Sequence, residues 1–238
     1  KSFLLLWESF VVMPYQYNRR FIRQFSTVFS WDDDLVDNDK VIKICYPVRK
    51  PFVKGLPFHQ RKLSCMLAAN KMFNSPHQLY SERQKIIRFY DTHVQRFDLY
   101  GRGWDNLKLK CYKGNAPFKS ETLQKYRFNF CLENNAFNKG YISEKIFDAF
   151  QAGAIPIYKG PPNTSKYIPS NCYIDYNKYG SLEKLDRFIQ DFTEADYNRY
   201  ISNIRKYLTS KMSDQFSSDG FVKIMVPKIL EKLGKKKL

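Results

Sequence analysis

Apolar residues in this chain gather into short clusters flanked by glycine, proline, asparagine and aspartate, and longer stretches between them repeat their apolar positions at helical spacing. Clusters of that length with turn-forming flanks read as buried strands. They predict strands at residues 3–7, 26–31, 41–46, 62–69, 97–100, 128–132, 154–158 and 172–175. Helical spacing, as in Leu79, Ile86, Phe89, Tyr90 and Val94, predicts helices at 79–93, 144–151, 181–192, 193–208 and 221–233. A further helix opens at Ser120 and Glu121, and Ser143 and Gly153 read as the N-cap and C-terminal stop of the helix at 144–151. Strands alternating with helices predict an α/β fold on parallel sheet with covered faces.

Residues 48–60 break the pattern with Pro51, Pro57, Gly55 and the cations Arg49, Lys50 and Lys54, a linker composition. The expected division is residues 1–55 as the first domain and linker, 56–225 as the second domain, and 226–238 as a closing helix end with a basic tail.

Composition narrows the class. In 238 residues, 43% hydrophobic and 17% aromatic content supplies a packed core and excludes a disordered chain. The apolar run at 3–7 is too short to span a bilayer and no small-residue cleavage site follows it. The chain begins with Lys1, so a fragment or processed form is expected. Cys45, Cys65, Cys111, Cys131 and Cys172 form no CxxC, and His59, His77 and His93 lack metal-ligand spacing, which argues against zinc and for buried free thiols in a reducing compartment. The formal charge of +17 suggests an anionic partner: nucleic acid, a membrane surface or a phosphorylated substrate. No RNP, zinc-finger or helix-turn-helix signature accompanies it, so the expectation is no nucleic acid. The tail, residues 235–238, is a candidate for peripheral contact with acidic lipid.

The densest chemistry lies in residues 126–162, which read as strand, polar loop, helix and strand. A βαβ unit of this kind sets a helix N-terminus beside a strand end, where a diphosphate or nucleotide binds. Lys145 falls in the first helical turn, where a cation is unfavourable toward the helix dipole and an anion would justify it. Glu144 suits that dipole and would turn to hydroxyls such as a ribose diol, or be an ordinary first-turn acid. Asn134, Asn135 and Tyr141 offer amide and ring contacts, although loop asparagines are commonly turn formers. Arg83, in the helix after the first strand of the second domain, is a candidate second cation on a diphosphate, or a solvated helix arginine. Asp32, Asp33 and Asp34 follow an apolar strand, as in metal-dependent sugar transferases, or form a plain acidic loop. Glu8 ends the first apolar strand and is a candidate general base, or an exposed strand-terminal acid.

Three runs, YRFNFCLENN, GYISEKIFDAF and AGAIPIYKGPP, together resemble the donor-binding signature of the α1,3/4-fucosyltransferases, glycosyltransferase family 10. SERQKIIRFYDTHVQRFDLYGRGW resembles the family's arginine helix, strand and YGR turn; LLLWESFVVMP resembles its Glu-Ser stretch and FSWDDDL its acidic linking segment. The likeness runs through residues 3–192. It implies a GT-B architecture of two Rossmann-like domains around a cleft, with the N-terminal one expected to be truncated because the Glu-Ser stretch begins at residue 7.

The resemblance further implies an inverting fucosyltransferase that moves L-fucose from GDP-β-L-fucose to a hydroxyl, O3, of an N-acetylglucosamine unit in a glycan. By position, Glu8 would be the catalytic base, Lys145 and Arg83 would bind the diphosphate, Glu144 the ribose, and Asn134 and Tyr141 would complete the donor pocket. No cofactor or metal is implied, and Asp32 and Asp34 revert to structure. The rival readings are a metal-dependent nucleotide-sugar transferase using Asp32 and Asp34, and a non-enzymatic polyanion-binding module. The family's CxxC-type pair is missing, which favours a bacterial, viral or protist type. The implied setting is cytoplasmic or peripheral membrane for a bacterial or viral protein, and Golgi membrane for a eukaryotic one.

Overall fold

The computed structural model describes residues 1–93 and 95–234. Val94 and the basic tail at 235–238 therefore lie outside the described residues. Two parallel sheets are present. The first holds β1 (Phe3–Leu6), β2 (Thr27–Ser30) and β3 (Val41–Lys43) in that order, with α1 (Arg19–Arg23) between β1 and β2. The second contains β4 (Lys62–Leu67), β5 (Phe97–Tyr100), β6 (Tyr126–Leu132), β7 (Ile155–Lys159) and β8 (Ile174–Asp175), in the spatial order β5-β4-β6-β7-β8. Helices α2 (Tyr80–Asp91), α3 (Lys119–Leu123) and α4 (Glu144–Ala152) connect its strands; α5 (Leu182–Gln190), α6 (Glu194–Leu208) and α7 (Ser218–Leu233) follow.

β6 is buried along nearly its whole length, because a central parallel strand is covered on both faces. Ile146, Phe147 and Phe150 of α4 are fully buried against it and its neighbours, each contributing about 1.5–3 kcal/mol of burial. Gly153 ends α4 with φ +67, the left-handed conformation its sequence position suggested. Ser143 occupies the N-cap position, but its hydroxyl makes no cap bond to the helix and turns to Glu133 instead.

The linker-like stretch is tied down rather than loose. Val53 N–H donates to Gln151 O at 2.7 Å, and the Lys50 ammonium is 3.1 Å from Asp148. Helix α7 lays Phe221, Ile224, Met225 and Ile229 against Phe29, Ile42 and Ile44, so the last helix returns to cover the first sheet. Among the described residues, no helix is long and apolar enough to cross a membrane.

The strand order of the second sheet places its reversal between β4 and β6. In open parallel sheets, ligands bind outside the carboxyl ends of the strands at such a switch point.

Candidate active site

A cleft of about 680 Å³ opens at the switch point. Ala68 and Ala69 past β4, Gly101 past β5, Asn134 past β6, and Glu144 and Lys145 in the first turn of α4 line it. Glu8, just past β1, lines it from the other sheet. Five of the six expected site residues, Glu8, Arg83, Asn134, Glu144 and Lys145, therefore share one cavity. Tyr141 does not line it. It is buried behind Asn134, accepting that residue's amide at 3.0 Å and packing on Trp31 with ring centroids 4.6 Å apart. Asn135 is also buried, and its side-chain oxygen accepts from Phe137 N–H and Asn138 N–H, a turn-forming role.

Arg83 is 6% exposed and holds the switch point together. Its Nη2 donates to Leu132 O at 2.7 Å, Glu133 O at 2.8 Å and Asn134 Oδ1 at 3.1 Å, while its guanidinium lies 4.6 Å from the centre of the Tyr80 ring. Burial pushes it below the ordinary arginine value, and an arginine so lowered is still cationic near neutrality. The backbone adds to this junction, since Leu79 N–H donates to Asn134 O at 3.0 Å. Arg83 thus fixes the loop after β6 with one nitrogen while lining the cleft.

Lys145 meets a group that the sequence did not single out. Its Nζ donates to Ser143 Oγ at 3.0 Å and lies 3.3 Å from Oε2 of Glu133 and 3.6 Å from Oε1 of Glu144. Burial works to lower its pKa, but the Glu133 and Glu144 carboxylates outweigh it and hold the ammonium above the ordinary lysine value. Glu133 is completely buried. For Glu144, burial acts to raise the pKa and is overcome by Lys145 and Lys119, leaving the carboxylate below its ordinary range.

Lys119, Lys71 and Arg102 also line the cleft, giving with Arg83 and Lys145 a cationic wall against the carboxylates Glu8 and Glu144. Lys119 starts α3 and pairs with Asp148 at 3.3 Å. Nothing local distinguishes Lys119, Lys71 and Arg102 from surface lysines and arginines in the sequence; the fold brings them to the same place as Lys145 and Arg83. A wall of this sign, beside a helix N-terminus of free N–H groups, suits a phosphorylated ligand.

The aspartates after β2 are occupied by protein donors. Asp32 accepts from Asn138 Nδ2 at 2.9 Å, Asp33 from Lys43 Nζ at 2.6 Å and Asn163 Nδ2 at 2.7 Å, and Asp34 from Lys139 Nζ at 2.8 Å. Among the described residues, no group of three or more His, Cys, Asp or Glu side chains is placed to hold a metal ion.

Residues 59–236 match the family model described as glycosyltransferase family 10 (fucosyltransferase), C-terminal part. The chain belongs to glycosyltransferase family 10. Family relatives include the 4-galactosyl-N-acetylglucosaminide 3-alpha-L-fucosyltransferase 9 of Bos taurus, 32% identical over 168 residues that cover 67% of this chain and 41% of the relative. The alpha-(1,3)-fucosyltransferase 7 of Homo sapiens is 30% identical over 129 residues, 52% of this chain and 35% of that protein. The chain thus spans well under half the length of these curated relatives. An α1,3-fucosyltransferase solved with GDP superposes with a TM-score of 0.60 at 17% identity, covering 88% of this chain and 71% of that one. An alpha-glucosyltransferase solved with UDP-glucose and DNA gives 0.61 at 12% identity, covering 95% and 71%. These likenesses identify the fold as GT-B, as expected for the family.

Proposed function

We propose that the chain acts as an inverting fucosyltransferase, moving L-fucose from GDP-β-L-fucose to O3 of an N-acetylglucosamine unit without a catalytic metal. The observation that carries the reading is the shared cleft: Lys145, Arg83 and Lys119, on helices that connect the strands of the second sheet, line it together with Glu8 from the end of the first. In this reading the diphosphate lies against the cations and the first turn of α4, Glu144 accepts from the ribose hydroxyls, and Asn134 contacts the sugar. The bond between the fucose anomeric carbon and the diphosphate oxygen breaks as the acceptor oxygen bonds to the opposite face. GDP leaves with the electron pair, and Glu8 takes the acceptor hydroxyl's proton. Fixed cations stabilise the charge that gathers on the leaving diphosphate. The names of the bovine and human relatives support a fucosyl donor, and that of the bovine one an N-acetylglucosamine acceptor, and their vertebrate origin supports the Golgi option.

The test is a thermal melt with GDP in the presence of a chelator, paired with transfer to N-acetyllactosamine. GDP is expected to raise the Tm, and Lys145→Ala to remove the rise. Stabilisation that appears only with Mn²⁺ and disappears in Asp34→Ala overturns the metal-free reading.

A further inference from the structure

We infer that Glu133 is a positioning residue that fixes the Lys145 ammonium, through Ser143, at the place where the diphosphate departs; this rests on the donor-site reading above. Glu133 follows β6 and is 0% exposed. Its Oε1 accepts from Ser143 N–H at 2.8 Å and from the Tyr158 hydroxyl at 3.1 Å. Its Oε2 accepts from Ser143 Oγ–H at 2.6 Å and lies 3.3 Å from Lys145 Nζ.

The proton order follows from the donor inventory. Ser143 has one hydroxyl proton and gives it to an acceptor-only carboxylate, so toward Lys145 its oxygen accepts. An ammonium has three N–H groups in a tetrahedral arrangement. Ser143 Oγ takes one of them, the Glu133 carboxylate lies 3.3 Å from the same nitrogen, and Lys145 itself lines the cleft.

The negative charge has a further use. A first-turn lysine is disfavoured by the positive end of the helix dipole, and Glu133 offsets that field from behind. It also competes with Glu144, whose Oε1 lies 3.6 Å from the same ammonium and would otherwise draw it toward the ribose side. Glu133 therefore keeps Lys145 charged and aimed. Because it stands on the far side of the ammonium from the cleft, its removal alters the direction of that cation more than the total attraction for a diphosphate.

The experiment labels lysines of the folded protein with acetic anhydride at mildly alkaline pH and reads each rate by peptide mass spectrometry. Glu133→Gln is expected to speed labelling of Lys145 about tenfold, as a one-unit fall in pKa gives tenfold more free amine. The exposed Lys184 and Lys206 should keep their rates. An unchanged Lys145 rate in a cooperatively melting E133Q overturns the inference. In turnover with GDP-fucose, E133Q should lose about tenfold in kcat while the donor KM moves less than about threefold, because the aim matters most in the transition state. A loss carried wholly by KM or by the folded fraction overturns it as well. If E133Q does not fold, Ser143→Ala keeps the carboxylate and removes only the bridging hydroxyl; faster Lys145 labelling supports the inference and an unchanged rate sinks it. If wild-type protein neither binds GDP nor transfers fucose, the donor reading fails, and the labelling contrast still decides whether Glu133 controls Lys145.

Discussion

The Asn138 amide donates to the Asp32 carboxylate at 2.9 Å, joining the loop before α4 to the loop after β2. Asp33 strengthens the joint, with Tyr167 OH at 2.5 Å and Asn163 Nδ2 at 2.7 Å. Through these contacts the sheet carrying Glu8 is registered against the helix carrying Lys145. For Asp33, burial acts to raise the pKa but Lys43, Tyr167 and Asn163 outweigh it, so the folded value lies below the ordinary 3.8. A depressed carboxylate contributes stability that is complete above its unfolded value and lost as pH falls through the folded one. Asp33→Asn is therefore expected to cost about 1.5–3 kcal/mol near neutrality and to flatten the loss of stability below pH 3.8. Urea melts at neutral and acid pH measure both, and an acid slope identical to wild type would count against the joint.

Lys119 is expected to share the diphosphate. It lies 3.3 Å from Asp148 and 4.0 Å from Glu144 at the cleft wall, with its side chain 54% exposed. Asp148 is buried but keeps Lys50 at 3.1 Å when Lys119 is removed, so Lys119→Ala should lower the Tm only slightly. GDP affinity should fall by about tenfold, the loss of one charge-assisted contact worth ~1.4 kcal/mol. Calorimetric titration checks it; wild-type affinity would remove Lys119 from the donor site.

Gly101 forms the cleft wall where a side chain has no room. Its φ is +140, and a Cβ there would come within 2.0 Å of Ala68 O. Gly101→Ala must therefore shift the β4 and β5 ends that line the cavity, at a cost of about 2 kcal/mol or more. A denaturant midpoint equal to wild type would show that the turn relaxes freely.

Most of the second sheet was legible because buried parallel strands are continuous apolar runs and α4 has clear start and stop signals. Lys145 was legible for an electrostatic reason, since its position in the first turn needs an anion. Glu133 was not, because its meaning lies in contacts with Ser143 and Tyr158, ten and 25 residues away, that only the β6–α4–β7 packing creates. Tyr141 was placed in the right loop, but alternation in an irregular loop does not say which ring faces Trp31 and which the cavity. Helix α7 was visible as a helix, yet its apolar face carries no label for the sheet it covers.

The five cysteines are buried and free. Burial pushes Cys45 up to about 11 and Cys111 and Cys172 up to about 12, with Cys65 and Cys131 well above the ordinary thiol value. Thiolate is the reactive form, so titration with an aromatic disulfide at mildly alkaline pH should find almost no reactive thiol in the native state and five after denaturation. Rapid native labelling of any one of them would reveal a local opening around that cysteine.

Glu8 supplies the sharpest separation of binding from chemistry. It reaches the cleft from beyond β1, whereas the cations are carried on segments around the second sheet. Its backbone carbonyl accepts from Tyr17 OH at 2.7 Å, which fixes the turn independently of the carboxylate. Replacing the side chain should therefore leave the turn and the cationic wall intact. Glu8→Ala is expected to keep the GDP-induced rise in Tm and lose transfer by about 10²-fold or more, the usual worth of a positioned base. Glu8→Gln, which keeps shape but accepts no proton, should be equally inactive. Transfer near the wild-type rate in either variant would mean that another group receives the acceptor proton.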